Sequence, residues 1–413
     1  MMIYVILGET ASGKSAVALS ICRRCHLPLL SADAFAVYRG FDIGSAKPTP
    51  EELSGIESHF ISSRDFGDEM TAYDFQKEGR RLLDGFKDKG QDSVIAGGTF
   101  LYVRALLFPY EFPAYDEEEK KYDYDIPLPQ MRGELLRLDP QAGSYVDLSN
   151  PRRVERALAL AKAGVKRSSL AQSFVNRPLY PTVFIRIKAT PAEIRRRIDQ
   201  RVDRQVEEGL FEETKRLTGQ NPLFASKFRG IGFKEVYEGL KSENSPGEIA
   251  ERIKYDTHRY AKRQRTFLRH QFPYMVELER DRIVDLVCMD LERRKHMADE
   301  VSDRFSSLLP VVPVLAREYL PWIDSLYRQG VRQIAVFTLD EALKKNFADY
   351  VHLHSPLMQV LYFDQHDFDD PKLPPLSFVL PLLNDLKMDP FLEDFIKERH
   401  LEVGLPKGLD LNK

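Results

Sequence analysis

An α/β fold built on a parallel sheet flanked by helices is predicted for the 413-residue sequence from three observations. Short apolar runs alternate with charged stretches of helical periodicity, the pattern of strands buried on both faces by helices. The first apolar run leads directly into a glycine-rich loop and then a helix-forming segment. The alternation breaks once, over residues 109–150, and then resumes. Together these predict a P-loop NTPase-like sheet over 1–108 and 151–280, a helical insertion over 109–150, and an additional C-terminal α/β domain over 281–413.

The elements follow in order. Residues 2–7 (MIYVIL) read as a buried strand, 8–15 as a Gly-rich loop, and 16–24 as a helix. A second strand over 27–31 ends at Asp33, a third over 93–96 ends at Gly97-Gly98, and a fourth spans 181–188. The break begins with Pro109 and Pro113, continues through a Tyr/Asp/Glu/Lys run to Pro127 and Pro129, and turns helical from Met131 to Leu138. Residues 152–163, 192–217 and 249–270 have helical periodicity and many charges. Beyond 280, apolar runs at 283–289, 311–316 and 333–338 alternate with helix-like stretches.

Composition narrows the class. The chain is 43% hydrophobic and 30% charged, as in a soluble globular protein. No apolar run is long enough to cross a membrane, and no basic leader precedes the first strand, so a cytoplasmic monomer is expected. The net charge of −3 is unevenly spread: 281–413 carries 16 Lys and Arg against 23 Asp and Glu, and 1–280 carries 44 against 40. A nucleic-acid partner is therefore sought on the first part. Three cysteines make no disulfide framework, and Cys22 and Cys25 read as small residues on the buried side of the first helix. His352, His354 and His366 lie near Asp364, Asp367, Asp369 and Asp370, which reads as a solvated loop before it reads as a metal site.

The loop Gly8-Glu-Thr10-Ala11-Ser12-Gly13-Lys14-Ser15 is G-x-x-x-x-G-K-[ST] in full. Its backbone N–H groups can curl around phosphate oxygens. Lys14 adds a point charge, Ser15 can hold Mg²⁺, and the following helix adds its positive end. In an open parallel sheet, ligands sit beyond the carboxyl ends of the strands. Asp33, the P-loop and Thr99 are thus expected to converge on one pocket. The third and fourth strands end without the carboxylate that an NTPase uses for its metal.

From Asp33 onward the sequence resembles the tRNA dimethylallyltransferases. The resemblance is carried by Ser31-Ala-Asp33 through Tyr38-Arg-Gly40, Asp42-Ile-Gly44-Ser-Ala-Lys47-Pro48, Tyr73-Asp74-Phe75 and Ala96-Gly-Gly-Thr99 with Leu101-Tyr102. It continues in Asn150 with Arg152-Arg153 and Arg156, in Gly230-Ile-Gly232-Phe-Lys-Glu235, and in Thr257 with Tyr260-Ala-Lys262-Arg263-Gln264 to Arg269. It covers residues 2–275. It implies transfer of a dimethylallyl group from dimethylallyl diphosphate to N6 of the adenosine 3′ of the anticodon, in tRNAs reading U-starting codons.

Residue by residue, it implies Asp33 as catalytic carboxylate, with Thr99 and Arg201 beside it. The P-loop (Gly8, Thr10, Ala11, Ser12, Gly13, Lys14, Ser15) would bind diphosphate, with Ser15 on Mg²⁺. The anticodon stem-loop of tRNA would meet Arg152, Arg153, Arg156, Arg259, Lys262, Arg263, Gln264 and Arg269. Arg201 shares its helix with Arg195, Arg196, Arg197 and Arg204, so a one-turn shift would change the assignment.

Departures from the family pattern are Glu9 for a usual proline, Ala34 and Ala36 for frequent Ser and Gln, Phe100 for a common glycine and Phe267 for a common tryptophan. The stretch 107–150 is shorter than the usual insertion. Three other classes share parts of the pattern: an adenylate (cytokinin-type) isopentenyltransferase, a P-loop small-molecule kinase, and an RNA-binding protein without catalysis. The first has less use for the segments around 150–158 and 257–269, and the second lacks the pattern around Asp33 and 97–102.

Overall fold

The computed structural model describes residues 1–110, 112, 126–164, 178–220, 230–272 and 275–295, Leu357, and short strands between 333 and 403. The His/Asp cluster at 352–370 and the run 311–316 lie outside them.

Six strands form one sheet: β1 (Ile3–Leu7), β2 (Leu29–Ser31), β3 (Ser58–His59), β4 (Ser93–Ala96), β5 (Thr182–Ile187) and β6 (Met275–Leu278), in the order β3-β2-β4-β1-β5-β6. Every pairing is parallel. All five β1 residues are buried, and β4 is buried throughout, which is why these strands read as unbroken apolar runs. The four strands expected from sequence are there. β3 and β6 were not expected. β3 is two residues long, and β6 is a partly exposed edge strand of four residues interrupted by Glu277.

The helices are α1 (Lys14–Cys25), α2 (Ala72–Asp88), α3 (Phe100–Leu107), α4 (Leu128–Leu138), α5 (Pro151–Lys162), α6 (Pro191–Glu207), α7 (Leu210–Gln220), α8 (Phe233–Lys241), α9 (Pro246–Gln271) and α10 (Arg280–Lys295). Capping sets where three of them begin. Thr71 with Asp74, Thr190 with Glu193 and Ser245 with Glu248 each form a reciprocal capping box. Pro191 and Pro246 stand in the first turn, where the missing N–H costs nothing. α6 and α9 therefore start before the expected 192 and 249. α2 was not anticipated, although its box and its buried Phe75, Gly79, Leu83 and Phe86 are a helical signature.

The chain divides into two compact units, Met1–Leu106 with Tyr180–Lys413, and Leu107–Leu179. The second unit has its own core, in which Met131 and Leu135 of α4 meet Val154, Ala157 and Leu158 of α5. α5 and its arginines thus belong with the insertion, because its apolar face packs on α4.

Residues 283–289 are not a strand-like run. They lie within α10, which packs on α1 with Ile283, Val287 and Leu291 buried. The Tyr4 hydroxyl of β1 donates to buried Asp290 at 2.5 Å. A single disulfide joins Cys25 to Cys288. Cys25 is therefore not simply a small buried residue, and its partner lies 263 residues away, beyond any local signal. Cys22 is buried and free, its thiol pushed up to about 12 by burial. Among the described residues no helix is long and apolar enough to cross a membrane. β7 (Gln333–Thr338) and β8 (Gln359–Phe363) pair in parallel.

Candidate active site

A cavity of about 340 Å³ opens beyond the carboxyl ends of β1, β2 and β4. Thr10, Lys14, Ser15, Asp33, Thr99, Arg201, Arg263 and Gln264 all line it. A wider one of about 870 Å³ shares Lys14, Ser15 and Arg201 with it and adds Ala11 and Gly13. Gly8 and Ser12 line neither; they shape the loop from behind.

The P-loop is fixed by its backbone. Gly13 has φ 93°, a left-handed conformation that an L side chain rarely adopts, and it starts α1 with no side-chain cap. The first N–H groups of α1 are left for an anion. Lys14 is buried behind them, its ammonium reaching the Glu9 carbonyl at 3.4 Å. Burial lowers its pKa from 10.5 to about 8; Asp33 and Glu9 pull it back up, and Arg201 adds to the lowering.

Asp33 follows β2. Its Oδ1 accepts from the backbone N–H of Phe35 at 3.0 Å and of Ala36 at 3.3 Å, which holds the carboxylate in place. The Thr99 hydroxyl accepts from Ala34 N–H at 3.0 Å. The two strand ends can meet only because residue 97 is glycine: a Cβ there would lie 2.1 Å from the Ala32 carbonyl oxygen. Arg201 donates to Thr10 Oγ1 at 3.3 Å and to the Ser45 carbonyl at 3.2 Å. Burial lowers its pKa, and the Asp33 charge opposes that. Of its neighbours, Arg197 and Arg204 line only the wider cavity, and Arg195 and Arg196 line neither.

Sequence reasoning missed the clamp on residues 42–48. Glu213 of α7 is buried, and its carboxylate accepts from Asp42 N–H at 2.5 Å, Ile43 N–H at 3.1 Å and Gly44 N–H at 2.9 Å. Gln205 of α6 donates to the Ile43 and Gly44 carbonyls at 2.6 and 3.1 Å. Lys47, on the same segment, pairs with Asp42 at 2.8 Å and donates to the Tyr38 carbonyl at 2.6 Å. A glutamate 171 residues from its partner has no local signal.

The basic stretch of α9 separates into two sets. Arg252 pairs with Asp256, Lys254 with Asp203 and Glu251, and Arg265 with Glu9. Lys262, Arg263 and Arg269 are exposed and carry no ion pair among the described residues. Arg259 is exposed too, with its guanidinium over the Tyr255 ring at 5.7 Å and 3.9 Å from Asp256. Gln264, expected to face RNA, is instead buried at the cavity. Its Oε1 accepts from Thr10 N–H at 2.7 Å and its Nε2 donates to the Gly98 carbonyl at 2.9 Å. Arg153 and Arg156 lie exposed on α5 in the second unit, where Arg152 also sits. Phe100 and Phe267 pack together at 6.2 Å between ring centroids, so these two departures from the family pattern are coupled.

Glu9 does not face the cavities. It is fully buried, and its Oε1 accepts from Arg265 at 2.7 Å and from Arg186 at 3.1 Å.

The IPP transferase family model matches residues 36–271. The chain belongs to the IPP transferase family. It is 35% identical to the tRNA dimethylallyltransferase of Streptococcus pneumoniae strain CGSP14 over 271 residues, 65% of this chain and 90% of that one. The crystal structure of the full-length tRNA isopentenylpyrophosphate transferase of Bacillus halodurans superposes with a TM-score of 0.52 at 27% identity, covering 72% of this chain and 99% of that one. A eukaryotic dimethylallyltransferase acting on tRNA shares the fold, with a TM-score of 0.60 at 21% identity over 74% of this chain and 81% of that one.

Proposed function

We propose that this IPP transferase family member is a tRNA dimethylallyltransferase that modifies N6 of the adenosine 3′ of the anticodon, acting as a monomer in the cytoplasm. The observation that carries the reading is that Lys14, Ser15, Arg201, Asp33 and Thr99 line one cavity, with Arg263 and Gln264 of the basic helix α9 on the same wall.

In the reaction the C1–O bond of dimethylallyl diphosphate breaks, and its electron pair leaves with the diphosphate. The adenine N6 lone pair forms the new N–C bond, and the N6 proton passes to a base. The P-loop N–H groups, Lys14 and Arg201 stabilise the charge that grows on the leaving group. Asp33 lines the same cavity, where its carboxylate can orient the amine and accept the proton.

The residues present fit a Mg²⁺ held chiefly by substrate: Ser15 lines both cavities, and among the described residues no cluster of His, Cys, Asp or Glu would form a protein cage. Ser15 would supply one oxygen, and the metal when bound would neutralise charge on the diphosphate. Arg259, Lys262, Arg263 and Arg269 would hold RNA phosphates, and the arginines of α5 would do so from the second unit.

The test is transfer of label from dimethylallyl diphosphate, with Mg²⁺, to unmodified tRNA reading U-starting codons, with AMP offered in parallel. Label in tRNA that disappears in Asp33→Ala is expected. Label in AMP alone would move the protein to the adenylate class.

A further inference from the structure

The P-loop and α9 meet at two successive residues. Thr10 is held through its N–H by Gln264, and Glu9 through its carboxylate by Arg265, the next residue of the helix. Gln264 and Tyr260, one turn apart, also donate to the Gly98 carbonyl, at 2.9 and 3.1 Å. From the other side Arg186 of β5 reaches Glu9 and also pairs with Glu277 of β6 at 2.7 Å. Glu9 Oε2 is buried with no hydrogen-bond partner among the described residues.

A carboxylate buried this way is poor value for stability alone. Desolvation offsets much of the attraction, and apolar side chains of similar volume are often as stable. What it supplies is register, because two arginines from different elements must meet one oxygen. Its charge would oppose the binding of a diphosphate, yet it points away from the cavities and is matched by the two guanidiniums.

We propose that Glu9 is a positioning residue for the transfer reaction: with Arg265 it fixes the diphosphate loop against the RNA-facing helix, so that donor and acceptor are held in register. This rests on the tRNA dimethylallyltransferase reading above. The Glu9–Arg265 pair acts through Thr10 and Gln264, both of which line the cavity.

Electrostatics and positioning predict opposite results for Glu9→Gln. Loss of the negative charge alone would lower the donor KM and leave kcat unchanged. Loss of register is expected to lower kcat by about 10- to 100-fold, with the donor KM unchanged or lower. Amide hydrogen exchange over 9–13 should be faster in the variant at a native-like Tm. The double variant Glu9→Leu with Arg265→Leu removes the Glu9–Arg265 pair and leaves Arg186 its partner Glu277, so it guards against misfolding from a lone buried ion. It is expected to show a kcat loss at least as large as Glu9→Gln, since it removes the acceptor oxygen as well as the charge. A kcat within about twofold of wild type in both variants would overturn the proposal. If the wild type transfers no label to tRNA, the functional reading fails by itself, and exchange over 9–13 then decides: an unchanged rate in Glu9→Gln overturns the positioning role.

Discussion

The P-loop (8–15) and the segment 33–48 border the same cavity but acquire their shapes differently. The P-loop turns by its own residues: a left-handed Gly13, an uncapped helix start and a buried Lys14 belong to the eight-residue motif, while Glu9 and Thr10 are tied from outside, by Arg186, Arg201, Gln264 and Arg265. The segment 33–48 has local ties at Asp33, whose carboxylate caps its own turn, and at Lys47, which reaches Asp42 and the Tyr38 carbonyl. Beyond Tyr38 it is held from outside, by Glu213, Gln205 and Arg201. One wall of the site is encoded by a motif, and the other by a fold.

The sharpest way to probe that contrast is at Asp33. Asp33→Asn keeps the turn acceptor and removes the base, so transfer should fall about 10²- to 10⁴-fold in kcat with the fold intact. A smaller loss in single-turnover assays would mean that the segment positions substrate more than it moves a proton.

Glu213→Ala tests the borrowed wall. It leaves three backbone N–H groups without their carboxylate, at an expected cost of about 2–4 kcal/mol in denaturant unfolding, with donor binding weakened through Arg201 and Ser45. If stability holds and only activity falls, the clamp serves the site alone.

On the P-loop side the test is pH. The ammonium of Lys14 binds diphosphate best when charged, and its pKa in the substrate-free protein is about 8. Donor binding should therefore be strong below that value and weaken as pH rises through it, by up to about tenfold per unit, because diphosphate must then restore the proton. Titration calorimetry with inorganic pyrophosphate reads this directly, and Lys14→Arg should remove the dependence.

The smallest effects belong to α9. Replacing Lys262 or Arg269 by Ala should weaken tRNA binding uniformly and reduce its salt slope by about one each, leaving pyrophosphate affinity unchanged. The paired Arg252 is expected to matter less than either.

How much was legible follows the same division. Sheet class, the four apolar strands and the convergence of Lys14, Asp33 and Thr99 came from local patterns and the strand-end rule. Arg201 came from resemblance and was separated from its neighbours only by geometry. Gln264 came to the RNA face with the family motif it shares with Lys262 and Arg263. Period alone does not show which side of a helix meets a loop 254 residues earlier in the chain. Glu9 stands in the sequence only as a departure from a usual proline, because its two arginines lie on other elements. α2 is readable from its capping box and was missed, whereas β3 and β6, at two and four residues, are too short to announce themselves.

Tyr4 in the first strand and Cys25 at the end of the first helix both find partners in α10, which lies past the last family motif read in the sequence. Where this protein can be cut follows from that. A truncation ending at residue 280 would delete Ile283, Val287 and Leu291 and strip the cover they give α1. Such a fragment would present an apolar strip to solvent and should be sticky and poorly soluble. A truncation ending after residue 295 would keep the strip covered and carry the whole described cavity, making it the better minimal enzyme.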